Sequence, residues 1–145
     1  MLLRFMADVV ALKPRIVHIL AGTNDIAGNT GPISERATLD NLQAMAMLAR
    51  ASGIGVLLGN VPPAAAFWWQ PGFDPRPRIR SLNAAIAEAV SWGVAVVDYH
   101  AALAKNDGAM RKAFADDGVH PNASGYAAME RVLLPVLPSR LHDGS

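Results

Sequence analysis

The run Arg15-Ile16-Val17-His18-Ile19-Leu20-Ala21, followed at once by Gly22-Thr23-Asn24-Asp25, decides how the rest of the chain is read. Its nearly continuous apolar content predicts a strand buried on both faces, as in a parallel sheet covered by helices on each side. The glycine and polar residues behind it predict a turn out of the sheet at the strand's carboxyl end. Two later runs repeat the pattern. Ile54 to Gly59 leads into Asn60-Val61-Pro62-Pro63, and Val94 to Val97 leads into Asp98.

Helical spacing fills the intervals. Leu2, Leu3, Met6, Val9 and Val10 recur at that spacing until Pro14 stops them. Ser34 is placed to cap a helix running to about Ser52, with Leu39, Leu42, Ala46 and Ala49 inward and Gly53 ending it. A second stripe joins Ile79, Leu82, Ile86, Ala89 and Val90 up to Gly93, and short helical turns are expected from Ala101 to Phe114. Asn122 is placed to cap a last helix carrying Tyr126, Met129, Val132 and Leu133. The alternation predicts one α/β domain over residues 1–145, a three-layer α/β/α arrangement around a parallel sheet. Ligands bind such sheets beyond the carboxyl ends of the strands, so the loops after the strands are expected to meet on one rim.

Composition removes several function classes. With 13 basic and 12 acidic residues the net charge is +1, which predicts neither a nucleic-acid groove nor an anionic membrane surface as partner. Cysteine is absent, which excludes disulfides, thiolate metal sites and a cysteine nucleophile, and fits a cytoplasmic protein. Arg4 and Asp8 interrupt the apolar start, so no signal peptide is expected, and no apolar run is long enough for a membrane span. Gly53-x-Gly55-x-x-x-Gly59 has the wrong spacing for a dinucleotide fingerprint, and no histidines pair at metal-ligand spacing. Neither a cofactor nor a metal is expected.

The chemistry-bearing stretch is Asp116-Asp117-Gly118-Val119-His120-Pro121-Asn122. A carboxylate three residues before a histidine can orient the imidazole, which then accepts a proton from a nucleophile. Upstream, the Asn24 side-chain amide can face a developing oxyanion; losing one such donor typically costs about 3 kcal/mol of barrier. Gly22 and Asn60, at two strand ends, are expected to border the substrate. Trp68 and Trp69, in the proline-rich segment from Val61 to Pro77, offer walls for an acyl pocket, packing for the loop itself or a contact with a partner chain. His18 is expected as a packed, hydrogen-bonded core or interface histidine and His100 as a structural one. Arg76, Arg78 and Arg80 are expected to form a solvated helix entry.

Taken together, Gly22-Thr23-Asn24-Asp25, Gly59-Asn60-Val61-Pro62-Pro63 and Asp117-Gly118-Val119-His120-Pro121-Asn122-Ala123-Ser124-Gly125-Tyr126 resemble the SGNH hydrolases, also called GDSL-type esterases and lipases. The likeness runs over nearly the whole chain. It implies hydrolysis of small acyl esters, with Asn24 as oxyanion donor, His120 as general base and Asp117 as its orienting carboxylate. The family's Gly-Asp-Ser strand, which carries the nucleophile, and its later oxyanion glycine have no counterpart here. The expectation is therefore a domain lacking the first strand-helix-strand unit. Its nucleophile would be one of seven serines (Ser34, Ser52, Ser81, Ser91, Ser124, Ser139, Ser145) or a water activated by His120. The other expectation is a catalytically inactive fold. In both, the strand from Arg15 to Ala21 would be a bare sheet edge, and a homodimer or larger oligomer would close it.

Overall fold

β2 (Gly55–Gly59) lies between β1 (Ile16–Leu20) and β3 (Ala95–Val97) in a three-stranded parallel sheet. The computed structural model describes residues 1–29 and 31–137. The register pairs Ile16 with Gly55 and Leu20 with Gly59 on one side of β2, and Leu57 with Ala95 and Gly59 with Val97 on the other. In chain order the helices are α1 (Phe5–Asp8), α2 (Thr23–Ile26), α3 (Glu35–Ala51), α4 (Arg76–Ala87), α5 (Tyr99–Leu103) and α6 (Ala123–Leu133).

Side chains along a strand alternate between faces, and β2 sorts the core accordingly. Val56 and Leu58 join Ile19, the α3 residues Leu42, Met45, Ala46 and Ala49, and the α4 residues Ile79, Leu82 and Ile86. Leu57 points the other way, into a cluster with Val97, Tyr99, Leu103, Met110 and Met129. Helices thus cover both faces of a parallel sheet, the three-layer α/β/α architecture expected from the sequence. Ser34 caps α3 by accepting from the Ala37 N–H at 3.1 Å, and Asn122 caps α6 by accepting from the Gly125 N–H at 3.1 Å.

Three details differ from expectation. First, β1 is buried on neither face along its length: Ile19 is enclosed, but His18 is exposed and its neighbours are half-buried, because among the described residues β1 has a strand partner only on the β2 side. His18 is not a core residue. It remains hydrogen-bonded, with Nε2 3.1 Å from the hydroxyl of the buried Tyr99, and partial burial lowers its pKa. Second, the N-terminal helix is broken into 3-10 turns on either side of α1 and turns Phe5 inward, while Leu3 (101% exposed) and Met6 (53%) face out. Third, Val90 leaves the α4 stripe because Glu88–Trp92 tightens to a 3-10 helix, which rotates it outward. Tyr126 lies on the exposed side of α6. Among the described residues, no helix is long and apolar enough to cross a membrane.

Candidate active site

The histidine loop is built from bonds made within itself. Asp117 Oδ1 accepts from the backbone N–H groups of Val119 at 2.9 Å and His120 at 2.8 Å, while Oδ2 meets His120 Nδ1 at 2.6 Å. Gly118 supplies the left-handed φ of 76° that lets the chain fold back over the carboxylate. The hydrogen bonds from His120 hold the Asp117 pKa down at about 2, against an ordinary value of 3.8. A carboxylate on Nδ1 fixes that atom as the N–H donor, so the neutral ring presents a basic Nε2. The His120 side chain is 71% exposed, so that atom is reachable.

The loop is anchored by its flanks. Val119 is buried in the core, and the Asn122 N–H donates to the Phe114 carbonyl at 2.8 Å. The Asn122 amide reaches the Ala113 carbonyl at 3.3 Å and Asp116 Oδ1 at 3.4 Å. Gly125 permits this packing, since a Cβ there would run into the Phe114 carbonyl and lie 2.9 Å from Pro121.

The other half of the rim starts at Gly22, whose φ of 122° turns the chain out of β1 into α2. A Cβ at Gly22 would lie 2.8 Å from Val61 Cγ2 and 3.1 Å from Leu82 Cδ2. This glycine is needed for the turn and for close packing. Asn24 is exposed in α2, and its Oδ1 accepts from Asn29 Nδ2 at 3.1 Å. That bond leaves the Nδ2 hydrogens as the donors Asn24 can offer. Asn29 Oδ1 in turn accepts from Trp69 Nε1 at 3.1 Å.

Trp69 joins the two halves. Its ring stacks on buried Phe67 with centroids 5.0 Å apart, and lies 6.3 Å from the His120 ring at an interplanar angle of 31°. A continuous series of contacts therefore runs Asn24, Asn29, Trp69, His120, Asp117. Trp68 packs edge-on against Trp69 but is 72% exposed, so it reaches outward from this series. Asn60 is set apart: it is buried, its Nδ2 donates to Asp98 Oδ1 at 2.7 Å, and its Oδ1 accepts from the His100 N–H at 2.9 Å. Both ends of its amide are occupied in tying the β2 exit to the β3 exit. The strand-end position at which a substrate contact is expected thus also serves a structural tie.

Several braces were not evident from the sequence. Gln70 Nε2 donates to the Ala27 carbonyl at the end of α2. Arg78 is half-buried, not solvated: it donates to the carbonyls of Ile26 at 3.1 Å and Ile33 at 3.3 Å, and meets Glu35 at 3.4 Å. Arg76 pairs with Asp74 at 2.8 Å, and Arg80 is exposed. Asn83 pins the start of the proline-rich segment, accepting from the Val61 N–H at 2.7 Å and donating to its carbonyl at 2.9 Å. The available signal was Asn83 itself, a polar side chain next to the apolar stripe of Ile79, Leu82 and Ile86.

Among the described residues no hydroxyl is hydrogen-bonded to His120. Ser34 is engaged as the α3 cap, Ser52 donates to the Leu48 carbonyl and Ser91 to the Glu88 carbonyl. Ser81 and Ser124 are exposed helical residues, and Ser139 and Ser145 lie outside the described residues.

Comparison with known proteins agrees with the geometry. Residues 1–128 match the GDSL-like Lipase/Acylhydrolase family. Among curated proteins, none matches. The fold superposes on that of a Bacteroides fragilis protein assigned as an acylhydrolase, at 40% identity and a TM-score of 0.91, over 97% of this chain and 69% of that one. A GDSL-like lipase from Bacteroides thetaiotaomicron is 39% identical with a TM-score of 0.89, over 95% of this chain and 69% of that one. A carbohydrate esterase family 3 protein from Talaromyces cellulolyticus is 25% identical with a TM-score of 0.75, over 97% of this chain and 65% of that one. Since the family match spans most of the chain and two relatives exceed a third in identity over nearly all of it, the chain belongs to the GDSL-like lipase/acylhydrolase family.

Proposed function

We propose that the chain is a carboxylic-ester hydrolase for short acyl esters, with His120 as general base, Asp117 as its orienting carboxylate and Asn24 as oxyanion donor. The observation that carries this reading is the 2.6 Å bond from His120 Nδ1 to an Asp117 carboxylate itself held by two backbone N–H groups. Nε2 takes the proton of the attacking hydroxyl or water, Asp117 stabilises the imidazolium that results, and the Asn24 amide receives the carbonyl oxygen as it becomes negative. An exposed histidine beside a single indole wall suits a small acyl group better than a long chain, which needs an enclosed tunnel. The nucleophile is a serine hydroxyl or a water that approaches His120. Water is the slower route, because it forgoes the split into acylation and deacylation.

The test is hydrolysis of p-nitrophenyl acetate by the purified chain beside His120→Ala and each Ser→Ala variant. General-base catalysis contributes about 10²- to 10⁴-fold, so His120→Ala is expected to lose that much. A second loss in one serine variant identifies the nucleophile; a loss in His120→Ala alone identifies water. Equal residual rates in wild type and His120→Ala overturn the reading.

A second reading, an inactive fold that assembles through its sheet edge, is favoured by one observation. The outer edge of β1 has no strand partner among the described residues, and Leu3 and Met6 are exposed on the N-terminal helix above it. A cavity of about 270 Å³ whose lining includes Phe5, Val9, Val17 and Ile19 together with the polar Arg4, Asp8 and His18 lies between the helix and β1. Such an edge pairs readily with another chain. Light scattering should then show a dimer or larger that Leu3→Glu with Met6→Glu dissociates, and a monodisperse wild-type monomer rules assembly out.

A further inference from the structure

Resting on the role proposed for Asn24, we infer that Asn29 is a positioning residue whose amide polarity, set by the Trp69 indole N–H, turns the Asn24 NH₂ group outward. A carboxamide has a donor end and an acceptor end of nearly equal size. If Asn24 presented Oδ1 to the substrate, it would repel the oxyanion it is meant to stabilise. Something must select the flip.

The selection can be traced from an unambiguous donor. Indole Nε1–H donates and cannot accept. It donates to Asn29 at 3.1 Å, which requires the oxygen of that amide to face Trp69. The Asn29 NH₂ then faces Asn24 and donates to Oδ1 at 3.1 Å. With its oxygen turned to Asn29, Asn24 presents its N–H groups on the opposite side. Donor polarity thus passes from a tryptophan stacked on the core, through one intermediate amide, to the side chain at the rim.

The backbone holds Asn29 in register. α2 ends in a Schellman arrangement, with the Gly28 N–H on the Asp25 carbonyl at 3.1 Å and the Asn29 N–H on the Asn24 carbonyl at 3.0 Å. Gly28 adopts the left-handed φ of 67° that this ending needs. Asn29 is therefore bound to Asn24 twice, once through backbone and once through side chain. Gln70 and Arg78 hold the neighbouring carbonyls of Ala27 and Ile26. The same indole faces His120 at 6.3 Å, so one side chain references both the base and the donor.

A polarity role predicts an order of effects that a packing role reverses. Asn29→Asp is nearly isosteric and still accepts from Trp69, but its second oxygen faces Asn24 Oδ1. Asn24 is then driven to flip its NH₂ inward. Asn29→Ala merely frees the Asn24 amide to rotate. On p-nitrophenyl acetate the expected result is a kcat loss for Asn29→Asp approaching the roughly 10²- to 10³-fold of a deleted oxyanion donor, with KM little changed. Asn29→Ala should lose less, and Trp69→Phe, which keeps a ring but removes the N–H, should also lower kcat. A larger loss in Asn29→Ala than in Asn29→Asp, or no loss in either, overturns the inference while leaving the hydrolase reading intact.

If the wild type hydrolyses nothing, the hydrolase reading falls and the orientation is decided by NMR of side-chain amides. The Asn24 NH₂ pair, assigned by its disappearance in Asn24→Asp, should exchange freely with water in wild type and become protected in Asn29→Asp. An Asn24 pair whose exchange is the same in both proteins overturns the inference. Thermal unfolding of each variant separates these effects from loss of the fold.

Discussion

The two halves of the rim reach the same place by opposite means. The histidine loop is secured from within: Asp117 bonds to residues two and three positions later, and Asn122 to Phe114, Ala113 and Asp116. The Asn24 loop adds ties from a distance to its own local ending. Trp69 bonds to Asn29 across 40 positions, Gln70 to Ala27 across 43, and Arg78 to Ile26 across 52. A self-contained loop keeps its geometry when the surrounding fold shifts, whereas a loop held by remote side chains reports every shift of the elements that carry them. The His120 loop is therefore built to be robust, and the Asn24 loop is built to depend on how α4 and the proline-rich segment pack.

The sharpest way to break this comparison is Gly22→Ala. The new methyl would meet Val61 and Leu82 at a backbone φ of 122° that side chains rarely tolerate. Strain and overpacking together should cost about 3 kcal/mol, measurable by denaturant unfolding. In whatever fraction stays folded, the Asn24 loop should be displaced while the Asp117–His120 bond persists, as NMR of the His120 ring can report. Displacement of both loops to the same degree would abolish the distinction.

Arg78→Met comes next. The substitution keeps much of the apolar stem and removes the guanidinium from the Ile26 and Ile33 carbonyls and from Glu35. Hydrogen bonds to a charged group contribute about 1.5–3 kcal/mol when enclosed, so a loss of about 2 kcal/mol is expected for this half-buried side chain. Hydrogen exchange should rise at the amides of α2 and stay unchanged in the segment from Asp116 to Asn122. Unchanged exchange in α2 would mean that Arg78 does not hold the loop.

The same contrast explains what the sequence could disclose. A run such as Ile54 to Gly59 is buried on both faces because it lies mid-sheet, and its apolar content says so. Asp117 and His120 are legible because their interaction is local: three residues and one left-handed glycine determine it. The link of Asn29 to Trp69 was not legible, because no local pattern ties position 29 to position 69. Arg78 was misread as a solvated residue for the same reason, since its carbonyl partners lie beyond the helix it belongs to. The tie from Asn60 to Asp98 was not legible because a strand-end position serves substrate contacts and structural ties alike. Of the two readings open for His18, core or interface, its exposure on the edge strand removes the first, while its hydrogen bond to Tyr99 is as expected.

The smallest expected effect tests the autonomy of the histidine loop by pH. The Asp117 pKa in the folded chain is about 2, below its ordinary 3.8, chiefly through the His120 hydrogen bonds. A depressed carboxylate contributes stability that is fully present above the ordinary value and is lost as pH falls toward the folded one. With His120 so exposed, solvent screening limits this contribution to about 1 kcal/mol or less. Asp117→Asn keeps an oxygen for the Val119 and His120 N–H groups but carries no charge at any pH. The stability gap between wild type and Asp117→Asn should therefore be open above 3.8 and close as the pH approaches 2. A gap that stays constant through that window would mean that the charge of Asp117 contributes nothing to the fold, and that the loop is held by its backbone bonds, buried Val119 and Asn122.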